Sequence, residues 1–189
     1  MKSLLLAAAL STSASVGFAA DRYTLDSSHS QILFSYDHLG FSTTWGMFSG
    51  FEGEIMFDQD APVNSSVTVS MPTKSMMTGW EQRFGHFMSE DFFGATDEDM
   101  ISFVSTGIEV TGEDTANITG DLTINDVTKS VVLDAKLNKA ATNPMANKAW
   151  AGFDATTTVL RSDYGLGAFA PAVGDEVFVQ ISIEAGIAE

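Results

Sequence analysis

Apolar and polar residues alternate with a period of two along most of this chain. Ile32, Phe34, Tyr36 and His38 fall on one face of a strand, and Trp45, Met47, Phe51, Ile55 and Phe57 on one face of the next. Val67, Val69 and Met71 alternate with Ser66, Thr68 and Ser70. The same rhythm runs through Ile118, Leu122 and Ile124, through Val131, Leu133, Ala135 and Leu137, through Phe153, Ala155 and Val159, and through Val177, Val179, Ile181 and Ile183. Such alternation marks strands with one face buried and the other in water. With the segment 101–110 it predicts strands at about 30–38, 46–57, 65–73, 101–110, 115–124, 129–138, 150–161 and 176–185. That is about eight strands, enough to close a small antiparallel barrel around side chains or one ligand. The expected fold class is therefore all-β, a single eight-stranded antiparallel β-barrel.

One segment switches to helical spacing. Thr78 and Glu81 match a capping box, and Trp80, Phe84, Phe87 and Met88 form an apolar stripe. Gly85 weakens this helix by about 1 kcal/mol relative to alanine. A short helix at about 79–90 is predicted, inside a long connection. Two other connections are long: 139–149 with Pro144, and 162–175 with Gly165, Gly167, Pro171 and Gly174. In an up-and-down barrel successive connections alternate between the two ends. The connections 39–45, 74–100, 125–128 and 162–175 then share one rim, which should gather His38, Arg83, His86, Arg161 and Asp163. The other end carries mostly short turns.

The first residues follow a different logic. Lys2, the apolar run Leu4 to Leu10 and the small residues of Gly17-Phe18-Ala19 match a secretory signal peptide cleaved before Ala20. The expected organisation is a cleaved signal, 1–19, and one domain, 20–189. The apolar run is too short to span a bilayer, and no other stretch approaches that length, so a membrane-spanning protein is not expected. The chain has no cysteine, which removes thiol nucleophiles, thiolate metal sites and a lipidated N-terminal cysteine. Its formal net charge is −16, and losing Lys2 makes it more negative. Such a surface repels nucleic acid and anionic membrane, and the acidity is read as a solubility feature.

The apolar faces are rich in Phe and Met. Phe34, Tyr36, Trp45, Met47, Phe51, Met71, Trp80, Phe84 and Phe153 are the expected interior lining. Flexible thioethers and aromatic rings suit an irregular apolar ligand, although the same side chains would also serve to fill the barrel. Arg161 shares the parity of Phe153 and Val159 and so points inward near the rim. A buried arginine needs partners. It either clamps a phosphate or quinone oxygen, which suits its planar fork, or forms a structural ion pair with Asp163 or another acid; the ion pair is the preferred reading. Arg83 and His86 lie on adjacent helical turns and would face either a head group or solvent. His29, beside Asp26 and Ser28, reads as turn hydrogen bonding. No two histidines have a metal-ligand spacing and no serine sits in a nucleophile elbow, so neither catalytic nor metal-ligating residues are assigned and an enzyme is not expected. A metal-assisted hydrolase using His38, His86 and Asp163 is the alternative, and a filled barrel acting through its outer surface is a third reading.

An ordered set of short motifs spans nearly all of the chain after residue 20. It opens with Tyr23-Thr-Leu-Asp-Ser-Ser-His29-Ser-Gln-Ile-Leu-Phe34 and continues with His38-Leu-Gly-Phe41-Ser, Gly46-Met-Phe48 and Phe51-Glu-Gly53-Glu-Ile55. Lys74-Ser75, Arg83, His86 and Glu90-Asp91-Phe92-Phe93 form the central group. Gly120-Asp-Leu-Thr-Ile124, Arg161-Ser-Asp163-Tyr164-Gly165 and Gly174-Asp175-Glu-Val177 complete it. In this order the chain resembles the YceI-like family, bacterial periplasmic polyisoprenoid-binding proteins with a lipocalin-like barrel. The resemblance implies a periplasmic carrier with an isoprenoid in the barrel interior, such as a polyprenyl phosphate or a quinone tail, and no other cofactor. It leaves the oligomeric state open, a homodimer included.

Overall fold

The computed structural model describes residues 20–189; the expected signal peptide lies outside the described residues. The strands are β1 (Asp21–Leu25), β2 (Gln31–His38), β3 (Ser42–Phe48), β4 (Glu52–Phe57), β5 (Ser66–Pro72), β6 (Met100–Val110), β7 (Thr115–Ile124), β8 (Val127–Thr142), β9 (Ala149–Leu160) and β10 (Glu176–Ile187). One α-helix, α1 (Glu81–Met88), lies between β5 and β6. All the strand pairings are antiparallel and run β1-β4-β5-β6-β7-β8-β9-β10. β10 then pairs back with β1, through Tyr23 opposite Ile187 and Leu25 opposite Ala185. The sheet closes into an eight-stranded barrel.

Two of the eight positions are each filled by a broken strand. β10 is long enough to take β1 beside its last residues and β2 beside Phe178–Ser182. β3 pairs with β2, and β4 pairs with β1. The predicted strand 46–57 is therefore two strands, and Asp21–Leu25 is a strand the alternation alone did not mark. The turn between β1 and β2 is held by Asp26. Its carboxylate accepts the Ser28 hydroxyl at 2.6 Å and lies 2.7 Å from His29 Nδ1. These bonds hold the Asp26 carboxyl below its ordinary range, the Ser28 hydroxyl first and His29 next. The turn-bonding role expected of His29 is the one the structure shows.

The break between β3 and β4 reverses which residues face inward. Gly50 takes a left-handed backbone, with φ of 70°, a conformation that costs glycine little. Before it, Gly46 and Phe48 are buried; after it, Phe51, Ile55 and Phe57 are. Trp45 and Met47 share the numerical parity of Phe51 but lie before the break. Trp45 is half exposed and Met47 forms a backbone bridge to Met77. Their expected place in the lining is therefore corrected: a slip of one residue moves a whole strand face from core to surface. Gly46 has its own reason. It pairs with Phe34, and a Cβ there would lie 2.2 Å from the Phe34 ring, so only glycine lets that ring pack flat across β3.

The helix is shorter than the predicted 79–90. Gly79 has a positive φ of 73° and Trp80 is extended, so the helix begins at Glu81. The Thr78 hydroxyl donates to the Trp80 carbonyl at 2.8 Å, and no side chain caps the helix. The expected capping box does not form, because its threonine is committed to the turn that precedes the helix.

Inside the wall, Tyr23 meets Phe57 with ring centroids 5.9 Å apart, and Phe57 meets Phe153 edge-on at 5.4 Å. Ala151 and Ala185, paired across β9 and β10, are both essentially fully buried. The reversal of parity makes a direct prediction. Phe48→Ala should cost about 3–5 kcal/mol, and Trp45→Ser should change stability by less than about 0.5 kcal/mol. Denaturant unfolding of both variants measures this; equal losses would contradict the assigned faces.

Candidate functional site

The barrel is hollow. Its interior holds a cavity of about 340 Å³ whose surface is almost wholly apolar. Ile55, Phe57, Met71, Ile101, Phe103 and Ile183 contribute to its wall from four different strands. A cavity of this kind lies in the size range of small-ligand sites, and its wall offers an ordered water few polar partners. The side chains line the barrel without filling it.

Four connections meet at one end. His38, at the end of β2, bridges to Val173 in the 161–175 loop. Asn125, in the β7–β8 turn, donates its side-chain N–H to the Tyr164 carbonyl at 3.2 Å. His86, on α1, has its ring 6.3 Å from that of Phe169. At this end a run of rings leads from the cavity to the surface. Tyr36 lies 6.3 Å from Phe87, Phe87 lies 5.5 Å from Phe92, and Phe92 lies 6.2 Å from Phe169. The first three line the cavity, whereas Phe169 is 61% exposed.

The predicted lining is placed as follows. Phe34, Tyr36, Phe51, Met71 and Phe153 line the cavity. Trp80 is exposed and stacks against Arg83, and Phe84 packs on the core from outside the cavity. The correction at Trp80 follows from the late start of α1, which leaves it extended ahead of the helix; within α1 it is Phe87 that lines the cavity. Phe92 and Phe93, just beyond the helix, also reach the cavity and carried no periodic signal.

The predicted rim residues do not form one cluster. Arg83 donates to the Thr78 carbonyl at 3.2 Å, with its guanidinium 5.9 Å from the centre of the Trp80 ring. His86 lies between Phe92 and Phe169, 3.8 Å from an Asp91 oxygen. Asp163 is exposed and 3.9 Å from Lys129. His38 is exposed. Among the described residues His38, His86 and Asp163 do not converge within metal-ligand reach; the group that does is Asp26 and His29 of the β1–β2 turn with Glu184 of β10, partly exposed. The rim hydrolase therefore loses its constellation.

Arg161 alone of the five lines the cavity, and it is buried. The ion-pair reading of it is corrected. It makes no ion pair with Asp163. Its Nε donates to the Gly174 carbonyl at 2.8 Å, one Nη to those of Leu166 and Ala168, the latter at 2.8 Å, and the other Nη to that of Val173 at 2.8 Å. The neighbouring Asp175 is turned to Ser162, accepting its backbone N–H at 2.9 Å and its hydroxyl at 2.6 Å, and the hydroxyl lowers its carboxyl pKa. Arg161 is thus the pin around which the 161–175 loop winds. Its partners are backbone carbonyls, which no side-chain pattern announces.

A closed, hollow, apolar barrel of eight strands belongs to the class of β-barrels that can enclose one small ligand. The model of the YceI-like domain matches residues 23–185, and the chain belongs to that family. It is 38% identical over 184 residues to a UPF0312 protein of Ectopseudomonas mendocina, covering 95% of each chain. It is 36% identical over 179 residues to the protein YceI of Shigella flexneri, covering 94% of this chain and 92% of that one. Among solved structures, the YCEI protein of Campylobacter jejuni superposes with a TM-score of 0.73 at 27% identity, covering 81% of this chain and 90% of that one. A polyisoprenoid binding domain from Saccharophagus degradans superposes with a TM-score of 0.69 at 14% identity, covering 88% and 98%; this second likeness is one of fold.

Arg161→Lys tests the pin. Lysine offers three donors on a point charge and cannot reproduce a planar fork, so buried carbonyls are left unpaired. A loss of roughly 2–4 kcal/mol is expected by chemical denaturation. A loss below about 0.5 kcal/mol would show that the loop holds its shape without the guanidinium.

Proposed function

We propose that this protein is a periplasmic carrier of a long isoprenoid lipid, of the polyprenyl phosphate or quinone type, which it holds in the barrel without altering it chemically. The observation that carries the reading is the apolar cavity of about 340 Å³ inside the barrel. A void with so apolar a wall gains free energy by taking up hydrocarbon, about 0.8 kcal/mol for each CH₂ buried. The solved domain with the same fold that binds a polyisoprenoid supports the choice of ligand. The signal-like residues 1–19 support export to the periplasm. The run of rings from Tyr36 to Phe169 offers a tail an apolar path to the interior.

The exported protein, extracted with organic solvent and analysed by mass spectrometry, should release a stoichiometric isoprenoid. After delipidation it should bind prenols of increasing length with affinity rising tenfold or more per isoprene unit, then levelling off as the cavity fills. Absence of both co-purified lipid and uptake of added prenols or quinones would overturn the reading.

A further inference from the structure

Among the described residues every strand of the barrel has paired neighbours on both sides except β3, which pairs along its length with β2 alone. On its other side it makes a single bridge. There the Met47 N–H donates to the Met77 carbonyl at 3.0 Å, and the Met77 N–H donates to the Met47 carbonyl at 2.7 Å. In an antiparallel strand the N–H and C=O of one residue point to the same edge, and successive residues alternate. The register of β2 with β3 is continuous, so Thr43 and Trp45 aim their backbone groups to the same side as Met47. Among the described residues no backbone partner meets them there, and both residues are exposed. The first half of β3 therefore has a free edge open to water.

A free edge pairs readily with another strand, and proteins usually blunt theirs with a charge, a proline or a bulge. β3 carries none of these. No aspartate, glutamate, lysine or arginine stands between Asp37 and Glu52, in a chain whose net charge is −16. Its threonines and Trp45 favour the extended backbone. The outer face beside the edge is apolar. Ser35 pairs with Trp45 on one side and with Phe178 on the other, and all three point away from the cavity that Phe34 lines. Ser35 is buried between the two rings, which are themselves partly exposed. Phe41, in the turn that leads into β3, is 88% exposed.

We infer that two copies of this chain pair through β3, edge to edge and antiparallel, about a two-fold axis at Thr44. In that register Thr43 of each copy faces Trp45 of the other. Every free N–H on the edge then meets a free C=O, and the Trp45 rings lie on one shared outer face. The charge favours a second copy. Two chains this acidic repel wherever their carboxylates meet, and along this edge they approach without one. The area is sufficient. At about 150–250 Å² per aromatic side chain, the exposed parts of Phe41, Trp45 and Phe178 come to roughly 300–400 Å² on each copy. With the strand backbones, two copies approach the roughly 1,000 Å² of a specific interface. Assembly stops at two, because pairing consumes the free edge of both copies and, among the described residues, the barrel offers no other.

Sedimentation velocity of the exported protein, from sub-micromolar to high-micromolar concentration, should show a monomer passing into a dimer with no larger species. Added salt should strengthen the dimer, because screening relieves the repulsion between two acidic chains. Trp45→Lys sets a charge on the edge and should weaken the dimer at least about tenfold. It should leave the unfolding midpoint of the dilute monomer unchanged. A disulfide reads the register. The chain has no cysteine of its own. Across the two-fold axis Thr44 would face itself as a non-hydrogen-bonded pair, with Cα atoms about 4.5 Å apart, a span a disulfide bridges. Thr44→Cys should therefore oxidise to a covalent dimer, whereas Ser130→Cys, exposed on β8, should not. A protein that stays monomeric throughout would overturn the inference. So would a dimer that Trp45→Lys leaves intact, or one in which Thr44→Cys cross-links no faster than Ser130→Cys, since either places the interface elsewhere. A monomer that floats with phosphatidylcholine vesicles would also overturn it, and would give the apolar edge to a membrane surface instead.

Discussion

The cavity depends on closure of the sheet upon itself. A strand edge bordering an apolar void would leave backbone N–H and C=O groups without partners, and each such group is costly. The ladder from Tyr23–Leu25 to Ala185–Ile187 removes that edge. The seam is packed closely by the small residues Ala151 and Ala185, with the Tyr23 and Phe57 rings nearby. Once the wall satisfies its own backbone, the inward side chains are free to be apolar, and the interior can stay empty of water. The break at Gly50 serves the same end. It lets one ladder position be shared by two strands while keeping aromatic residues inward on both sides of it.

The second constraint lies where the barrel cannot be regular. The 161–175 loop crosses one end, is rich in glycine and has only a small side-chain core of its own in Tyr164 and Leu166. Arg161 supplies a polar one, gathering four carbonyls from residues 166–174. The energetic logic is that a charged donor makes stronger hydrogen bonds than a neutral one and can hold several acceptors in a plane. The same choice places a cation, with no carboxylate bonded to it, in the wall of an apolar cavity.

Much of this was legible in the amino-acid order, and the failures are physical. Strict alternation reveals the strands wherever one face is buried, which is nearly everywhere in a barrel wall. It located seven of the inward faces through residues such as Phe34, Met71 and Phe153. It misplaced Trp45 and Met47 because a single left-handed residue between two strands is silent in a count of period two. The helix was visible from its stripe, but its start was not, because Thr78 bonds the Trp80 carbonyl rather than a helical N–H. The rim proved harder still. Connection parity brought the right loops to one end, but His38, Arg83, His86 and Asp163 project from irregular backbone, where no periodicity sets direction.

The central claim is that the interior of the barrel, and not its outer surface, takes up an isoprenoid. Nuclear Overhauser contacts between a bound, isotope-labelled prenyl chain and the methyl groups of the protein test it most directly. Cross-peaks to the buried methyls of Ile55 and Ile101, with none to the exposed Val63, are the result expected from the cavity. Cross-peaks confined to exposed groups such as Val63 or Leu39, with the interior isoleucines silent, would contradict it.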